Sequence, residues 1–591
     1  MLRITNIKEY ALLNLTTQTQ DFLVCAAENY LQYMQTYDKG LEIVKIRNIS
    51  KDIFGLSLQL EYKLKSTESL ILRTPTEEFI LEKESEEAMS ILSYDEKSKV
   101  LSLSMEERLC KKLFAQKESL QLISDLKFLV VNVMNFYLQE HTLKLPTIPP
   151  LLKPDIESLK DLPTPPHLEQ LNALKGIFES PFCYVWGAAG SGKTKVVLLH
   201  ALAFYLKANC KVAILAPTNN ALEQCLTTLI ANLDAIGIET CKILRLGTPS
   251  QRFAENFPKN CDLLLENKAI DYKKSLQDSL VIAMTLDTFL RRNDLHTIDF
   301  KHFFIDEAGF APLIKTLPLC AFNKPITLLG DHKQLQPVCI LSSAHLKESQ
   351  WKPSRLWQYS SLFMEKFFKI QRNFEEENLF LDSTSPSENP PISQVFTLTQ
   401  TYRYGNNLAH LLNTYIYKNN LQGLNTKTYL HCLDISQMPK TQPLDKANYN
   451  EALQCCNLAR EFLNAHQDFA ILTPFVNQRQ LILKTMPALY KEECVWTIHS
   501  SQGQEFDYVL FSPVILHYHL NDSSNQKALF ALNVAFSRAK KGIILICDKT
   551  YWLRQKNQFL SQLVQIAKLY YKAQNEWFFG WIKCSKKAGF N

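Results

Sequence analysis

The spacing of apolar and polar positions changes three times in the N-terminal part of the chain. Residues 1–38 place apolar side chains at helical intervals, which predicts an amphipathic helix. Residues 40–105 contain short alternating stretches separated by polar turns, a pattern typical of a small antiparallel sheet or barrel. The helical interval returns over 106–138, and a proline-rich stretch at 146–166 then predicts a linker.

Beyond this linker, apolar strands alternate with helical stretches, and the alternation occurs in two series. Such a pattern predicts two parallel sheets, each covered by helices. An acidic, Ser/Pro-rich segment at 374–391 separates the two series and is interpreted as either an exposed connection or a loop insertion. The first series is CYVW, KVAILA, LVIAM, HFFID and PITLLG, and the second is FTLTQ, FAILTP, VWTIH, YVLFSP and IILICD.

Composition indicates a multidomain protein whose partners must be inferred from motifs. The chain has 591 residues, of which 46% are hydrophobic, and a formal net charge of +6, which suits a polyanion without proving one. Its 15 cysteines include no CxxC pair, so we expect neither zinc nor a disulfide framework. No stretch approaches the roughly 20 apolar residues of a membrane span. We therefore expect a cytoplasmic protein, or a nucleoid-associated one in a bacterium.

A glycine-rich loop follows the strand CYVW. Residues 187–194 read GAAGSGKT, match G-x-x-x-x-G-K-[ST] at every fixed position and precede a helical stretch. Such a loop turns backbone N–H groups toward phosphate, and Lys193 would reach the β and γ phosphates while Thr194 ligates Mg²⁺. The residues predicted to bind ATP in this loop are Gly187, Ala188, Ala189, Gly190, Ser191, Gly192, Lys193, Thr194 and Lys195.

A pair of carboxylates follows a second strand, in the sequence HFFIDEAG. Parallel sheets present their ligands at the carboxyl ends of strands, so Asp306 and Glu307 are expected near the glycine-rich loop. ATP hydrolysis needs a metal ligand and an acceptor for the proton of the attacking water. We predict that Asp306 holds Mg²⁺ and that Glu307 is the general base.

The sequence LLGDHKQLQPV at 328–338 resembles motif III of superfamily 1 helicases, commonly written G-D-x-x-Q-L-x-P. Other motifs of that family occur in their usual order between about residues 165 and 548. The resemblance implies an α/β fold with two tandem RecA-like P-loop domains and a nucleic-acid-dependent ATPase. It also implies that Gln334 senses the γ phosphate and that Asp331 links the nucleotide to the nucleic-acid track.

The same resemblance assigns residues of the second series to the nucleotide. Phosphoryl transfer builds up negative charge that Lys193 and Mg²⁺ offset only in part. TLTQTYRYG resembles motif IV and LNVAFSRAKKG resembles motif VI, which makes Arg403 and Arg538 the candidate arginines. The remaining assignments are Gln170 at the adenine edge, Tyr402 stacked on the base and Glu505 at the ribose.

Contacts with nucleic acid are implied by motif position. Translocation along one strand requires a surface that grips the backbone or the bases without reading sequence. One of the assigned residues, His499, could equally be a structural histidine at a strand end. The residues assigned by resemblance are Pro217, Thr218, Asn220, Thr285, Pro474, Thr497 and His499.

Within superfamily 1, the sequence is most similar to the Upf1-like group of the 5′-to-3′ branch. The forms TYRYG and NVAFSRAKKG are typical of that group, as is the SSLF segment at 360–363. The strand-rich and helical stretches at 40–140 stand where the group has its barrel and stalk. One position departs from the family, because Thr401 stands where a glutamine commonly precedes Tyr-Arg.

The expected organisation is an N-terminal barrel and helical stalk at 1–145, a first RecA-like domain at 146–375, and a second with a C-terminal tail at 376–591. The expected function is an ATP- and Mg²⁺-dependent helicase that moves 5′ to 3′ on single-stranded DNA or RNA, acting as a monomer at duplex junctions. A nucleotide-switched binding or remodelling ATPase without processive unwinding is the alternative. The aromatic and basic tail at 570–591 is interpreted as a helix packed on the second domain, a stacking platform or a partner site.

Overall fold

The computed structural model describes part of the chain. Most of the expected connection at 374–391, and all of the tail at 570–591 except its first residue, lie outside the described residues. Among the residues that the structure describes, no helix is both long and apolar enough to cross a membrane. The described residues are 15–570 except 38, 53, 62–63, 65–69, 82–88, 96–97, 140, 248, 262–271, 343, 371–390, 419–420, 426, 440–443, 493 and 502.

The N-terminal region combines a long helix with two small antiparallel sheets. The helix Leu15–Thr36 packs against the helix Lys127–Tyr137 and against the turns at Ser349–Trp357. The strand-rich character expected of this region is confirmed. In sheet order, the strands are Leu41–Val44, Gln121–Asp125, Leu70–Arg73 and Glu78–Leu81 in one sheet, and Ile46–Lys51, Gly55–Leu60, Val100–Met105 and Met89–Asp95 in the other.

The apolar spacing of 106–138 predicted a helical stretch, but these residues are not helical throughout. Helices Glu107–Ala115 and Lys127–Tyr137 flank the strand Gln121–Asp125. This strand lies inside its sheet, and both Leu122 and Ile123 are buried there. The prediction was wrong over these residues because pairing with distant strands decides their conformation, and local spacing does not report that pairing.

The first domain is a parallel sheet of seven strands covered by helices. All the strands expected in the first series are present, and each is buried along its length, as in sheets covered on both faces. In sheet order, the strands are Ile243–Arg245, Val281–Thr285, Val212–Ala216, Phe303–Ile305, Ile326–Gly330, Phe182–Gly187 and Val395–Leu398. The helices are Leu168–Glu179, Leu199–Lys207, Asn219–Ala235, Gln251–Asn256, Tyr272–Asp278, Leu286–Arg291, Leu313–Thr316 and Met364–Ile370.

The edge strand of this sheet corrects one assignment. Val395–Leu398, from the stretch FTLTQ, pairs in parallel with Phe182–Gly187 and so belongs to the first domain, not the second. An apolar stretch does not specify which sheet it joins, which is why the expected boundary near residue 375 falls too early. The chain leaves the first sheet at Thr399 and enters the strand Gln400–Gly405. Glu169 fixes this crossing, because its carboxylate accepts hydrogen bonds from Thr399 N (2.7 Å) and Oγ1 (2.6 Å).

The second domain is a parallel sheet of six strands, also covered by helices. A separate parallel pair joins Gln400–Gly405 to Gln422–Asn425. In sheet order, the strands are Val495–Thr497, Phe469–Thr473, Phe506–Phe511, Ala539–Cys547, Tyr429–Asp434 and Lys568–Leu569. The helices are Asn406–Leu412, Tyr449–Asn464, Val476–Thr485, Leu489–Glu492, Gln526–Ser537, Lys549–Arg554 and Phe559–Ile566. Two tandem parallel α/β domains therefore follow a strand-rich N-terminal region, as the sequence predicted.

Candidate active site

A tight turn follows the strand Phe182–Gly187, which lies next to the edge strand of the first sheet. Gly190 and Gly192 have φ angles of +81° and +90°, in the left-handed region where other residues are strained. Lys193 Nζ donates hydrogen bonds to the carbonyl oxygens of Gly187 (2.6 Å) and Ala188 (3.2 Å), so the lysine folds over the loop. The glycine-rich sequence thus forms the turn expected of a phosphate-binding loop.

The predicted carboxylates lie at the same edge of the sheet. Asp306 and Glu307 follow the strand Phe303–Ile305, and Thr194 Oγ1 donates a hydrogen bond to Asp306 Oδ2 at 3.2 Å. The hydroxyl and carboxylate predicted to hold Mg²⁺ are therefore adjacent, and their oxygens suit a hard divalent cation. Glu307 has a φ angle of +53°, an unfavourable backbone conformation of the kind that clusters at active sites.

Buried charges of both signs converge at this edge. Burial raises the pKa of Glu307, and the neighbouring Asp306 raises it further. Burial also lowers the pKa of Lys193, and lowers that of Arg538 to about 10, while facing carboxylates oppose both shifts. Charges this close and this buried are costly unless they compensate one another, so their convergence indicates a functional site.

Arg538 reaches this cleft from the second domain. It follows the helix Gln526–Ser537, is 4% exposed, and donates a hydrogen bond from Nη1 to the carbonyl oxygen of Gln504 at 3.1 Å. Its Nε and Nη2 are buried without a hydrogen-bond partner among the described residues. Glu307 contributes a favourable charge interaction. A buried guanidinium with two unused donor atoms is suited to an anion such as phosphate.

The second predicted arginine, Arg403, is paired within its own domain. Its Nη1 donates to the carbonyl oxygen of Ser537 at 3.1 Å, and its Nη2 forms an ion pair with Glu505. Burial acts to raise the pKa of Glu505, but Arg403 and Lys540 hold it below its ordinary value. Glu505, predicted at the ribose, and Arg403, predicted at the phosphates, therefore contact each other in this structure.

The strand Gln400–Gly405 lies directly on the glycine-rich loop. Thr401 Oγ1 donates to the carbonyl oxygen of Ala189 at 2.7 Å, and the backbone N–H of Tyr402 donates to that of Gly190 at 3.0 Å. A Cβ atom on Gly190 would lie 2.5 Å from Cβ of Arg403, so glycine is also needed for this close approach. Thr401, where the sequence departs from the family pattern, thus joins the second domain to the loop.

The residues predicted to bind the adenine lie together at one end of the cleft. Gln170 is buried, accepts a hydrogen bond from His167 N–H at 2.9 Å and donates one to Ser191 O at 3.0 Å. Tyr402 is 45% exposed, with its ring centroid 5.6 Å from that of His167. Gln170 therefore supports the loop directly, and the exposed ring of Tyr402 offers a face on which a base could stack. Their contacts with adenine stay predictions.

The carboxylate of Asp331, in the motif III stretch, accepts four hydrogen bonds. Its Oδ1 accepts from Trp186 Nε1 (3.1 Å) and Lys333 N (3.0 Å). Its Oδ2 accepts from Gln334 Nε2 (3.1 Å) and from the hydroxyl of Tyr417 (2.5 Å). Gln334 is buried beside Asp331 in this structure, and its role as a phosphate sensor stays a prediction. Tyr417 belongs to no motif, so no sequence signal points to it.

The predicted nucleic-acid contacts differ in exposure. Thr285 is 6% exposed, and its hydroxyl accepts a hydrogen bond from Thr288 N because the short helix Leu286–Arg291 needs an N-cap. The structure therefore does not bring Thr285 to the surface, nor Pro474, which is buried. Asn220 faces the second domain, where its Oδ1 accepts from Gln504 Nε2 at 3.1 Å. Exposed members are Thr218, Asn220 and His499, and partly exposed ones are Pro217 and Thr497.

These contacts define a class of protein. A glycine-rich phosphate loop and a carboxylate pair in one parallel α/β domain face an arginine from a second such domain. Two RecA-like domains that share a cleft in this way form a tandem P-loop NTPase.

Comparison with known proteins finds similar domains and similar helicases. Two family models, both described as an AAA domain, match residues 170–339 and 377–550. Regulator of nonsense transcripts 1 of Dictyostelium discoideum is 24% identical over 489 residues, which are 70% of this chain and 33% of that protein. ATP-dependent helicase upf1 of Schizosaccharomyces pombe is 24% identical over 476 residues, which are 68% of this chain and 46% of that protein. These matches support a Upf1-like superfamily 1 helicase.

The chain covers only part of these relatives, 33% and 46% of their lengths. A third relative, a DNA replication ATP-dependent helicase/nuclease of Arabidopsis thaliana, is 24% identical over a match that covers 63% of this chain and 27% of that protein. A solved structure of an arterivirus nonstructural protein 10, a helicase, matches 85% of this chain and 78% of its own at 12% identity and a TM-score of 0.36. At that score it adds nothing to the assignment.

Proposed function

We propose that this protein hydrolyses ATP in the cleft between its two parallel-sheet domains and uses the energy to move along single-stranded nucleic acid and separate duplexes. Arg538 is the observation that carries the proposal. It extends from the second domain, keeps buried Nε and Nη2 atoms without partners among the described residues, and faces Glu307 of the first domain. An arginine supplied across a cleft makes hydrolysis depend on domain closure, which is the basis of movement.

The residues on the two faces of the cleft have complementary tasks. Lys193 binds phosphate oxygens, and Arg403 and Arg538 balance the charge that develops on them. Glu307 accepts the proton of the attacking water. Mg²⁺, held by Thr194 and Asp306, would supply further positive charge at the transferred phosphate. Arg403 must exchange its pairing with Glu505 for phosphate, which makes this arginine responsive to the nucleotide.

Nucleic acid is proposed to lie across the carboxyl edges of both domains. Asn220 of the first domain and Gln504 of the second are hydrogen-bonded across the cleft. Opening of the cleft would therefore change the distance between the nucleic-acid contacts of the two domains. The names of two relatives, an ATP-dependent helicase and a DNA replication helicase/nuclease, support a nucleic-acid substrate. Movement from 5′ to 3′ by a monomer in the cytoplasm is proposed from the resemblance to the Upf1-like group.

The test compares ATP hydrolysis with and without single-stranded DNA and RNA of matched sequence. We expect stimulation by at least one of them, and we expect Lys193→Ala to abolish hydrolysis because the phosphates lose their cation. Lys175→Ala, which changes an exposed lysine of the first domain, is the matched control. A Lys193→Ala protein as active as wild type would overturn the proposal.

Duplexes with 5′ or 3′ tails then test unwinding and polarity. We expect strand separation only when the tail is 5′. Separation from 3′ tails alone would contradict the proposed direction. Stimulated ATP hydrolysis without separation of any tailed duplex would instead favour the nucleotide-switched remodelling protein.

A further inference from the structure

A buried hydrogen-bond chain connects the two domains beside the cleft, outside the residues that the proposed reaction uses. The hydroxyl of Tyr417, in the second domain, donates to Asp331 Oδ2 at 2.5 Å. Asn533, also in the second domain, donates from Nδ2 to the same hydroxyl (2.9 Å) and to the carbonyl oxygen of Lys333 (2.9 Å). Tyr417 is 4% exposed and Asn533 is fully buried, so no solvent competes for these bonds.

The first-domain end of this hydrogen-bond chain lies against the phosphate loop. Asp331 accepts a hydrogen bond from Trp186 Nε1 at 3.1 Å, and Trp186 immediately precedes Gly187, where the loop begins. The Asp331 backbone also leaves little room, because a Cβ atom on Gly309 would lie 2.9 Å from its carbonyl oxygen. Asp331 is therefore packed between the loop and the carboxylate-bearing segment.

The second-domain end leads to both arginines. Tyr417 ends the helical turn Asn413–Tyr417, which continues the helix that follows the strand carrying Arg403. Asn533 lies on the helix that ends one residue before Arg538. Arg403 in turn donates to the carbonyl oxygen of Ser537, at the end of that same helix. A helix joined to each arginine thus contributes one side chain to the buried hydrogen-bond network.

We propose that Asp331, Tyr417 and Asn533 form an interdomain latch, and that Tyr417 and Asn533 are positioning residues which set Arg403 and Arg538 against the phosphate loop. The inference rests on the proposed function for its catalytic consequence, but the latch itself is a physical contact that can be measured without nucleotide. Neither residue touches the reacting atoms, so each acts through the arginine to which its helix is joined along the polypeptide. Burial and the nearby Asp331 charge keep the Tyr417 hydroxyl protonated as a donor, because both raise its pKa.

The first arm measures the latch directly, by hydrogen–deuterium exchange of full-length protein without nucleotide. Tyr417→Phe keeps the ring and removes only the hydroxyl, so we expect faster exchange in peptides covering 331–338 and 526–537. Tyr415→Phe is the matched control, since its hydroxyl lies two residues away in the same turn and bonds to Gln558 of its own domain. Unchanged exchange in Tyr417→Phe would overturn the latch, whether or not the wild type hydrolyses ATP.

The second arm measures ATP hydrolysis stimulated by single strands. Loss of a buried hydrogen bond on this scale predicts a kcat about tenfold to a hundredfold lower, with the KM for ATP within about twofold of wild type. Asn533→Ala should give a similar fall, and the double variant should be no worse than the more affected single variant, since both act through one latch. Fully additive losses, or a raised KM with unchanged kcat, would overturn the positioning role. If Tyr417→Phe folds poorly, Asn533→Ala decides by the same readouts.

Failure of the latch and failure of the proposed function give different results. A wild type without ATP hydrolysis, but with exchange that responds to Tyr417→Phe, would refute the proposed function and leave the latch standing. An active wild type whose kcat and exchange are indifferent to Tyr417→Phe would refute the latch and leave the proposed function standing.

Discussion

The two RecA-like domains contain the same kind of parallel sheet, but the carboxyl ends of their strands hold different chemistry. In the first domain, Lys193, Asp306 and Glu307 gather ionic groups around the phosphate loop. In the second domain, Glu451 Oε2 accepts hydrogen bonds from Ser512 Oγ (2.6 Å) and Val514 N (3.0 Å) just beyond the strand that ends at residue 511. Burial raises the pKa of Glu451 to about 8, so this acid is largely neutral at pH 7.

The difference shows how a buried position at a sheet edge can either bind charge or exclude it. A buried charge is costly unless it is paired, and the first domain balances its carboxylates with Lys193 and with Arg538 from the other domain. The second domain avoids the cost by keeping Glu451 protonated among hydroxyl and amide groups. Unused donors on Arg538 then mark the ionic edge as the one that is completed by a ligand.

The largest effect on ATP hydrolysis should come from removing Arg538, the positive charge that extends from the second domain toward the carboxylates of the first. Arg538→Ala is expected to lower the kcat of stimulated ATP hydrolysis about a thousandfold, because the charge developing on the transferred phosphate loses its arginine. Steady-state hydrolysis at saturating nucleic acid measures this. Arg460→Ala, which changes an exposed arginine of the same domain, should match wild type. A loss smaller than about tenfold in Arg538→Ala would mean that the two edges are not coupled through this residue.

A smaller effect, on stability rather than activity, is expected at the neutral edge. The unfolded chain ionises Glu451 near its ordinary pKa of 4.5, whereas the folded protein keeps the carboxyl protonated until about pH 8. The folded state therefore holds more protons in that interval, and the free energy of unfolding falls as pH rises through it. Glu451→Gln removes this titration. The free energy of unfolding of the variant, relative to that of wild type, should therefore rise by a few kcal/mol between pH 5 and pH 8.

Denaturant unfolding at several pH values checks the sign, with Glu492→Gln as the control because Glu492 is exposed in the same domain. Stimulated ATP hydrolysis at pH 7 should be unchanged in Glu451→Gln. If the stability of wild type and Glu451→Gln ran parallel across this pH range, Glu451 would be ionised in the folded protein, and the contrast between the two edges would fail.

The ionic edge could be predicted from the sequence, and the neutral edge could not. Lys193, Asp306 and Glu307 each come soon after an apolar strand, and parallel strands end together, so their meeting follows from order along the chain. Glu451 lies in no motif, and its contact with Ser512, 61 residues away, depends on how a helix packs on the sheet. The same holds for Tyr417, whose partner Asp331 is 86 residues away.

The sequence also failed to predict which strands pair with one another, for a similar reason. The strands Gln121–Asp125 and Val395–Leu398 were misassigned because their partners are distant in sequence, and apolar spacing carries no information about partners. The residue before Tyr402 shows the opposite case. Its departure from the family pattern was visible in the sequence, but only the structure shows that the Thr401 hydroxyl donates to the phosphate loop.

The smallest effect should arise at Thr285, which lies on the carboxyl edge of the first domain without belonging to its ionic cluster. Its hydroxyl accepts from Thr288 N at 3.1 Å and caps a short helix, so Thr285→Ala should lower the free energy of unfolding by about 1 kcal/mol. Because the side chain is buried, affinity for a fluorescent single strand should stay within about twofold of wild type.

His499→Ala removes an exposed side chain of the same predicted set and should weaken binding by about 1 kcal/mol. The reverse ranking would show that nucleic-acid binding opens the helix cap and exposes Thr285 to the strand.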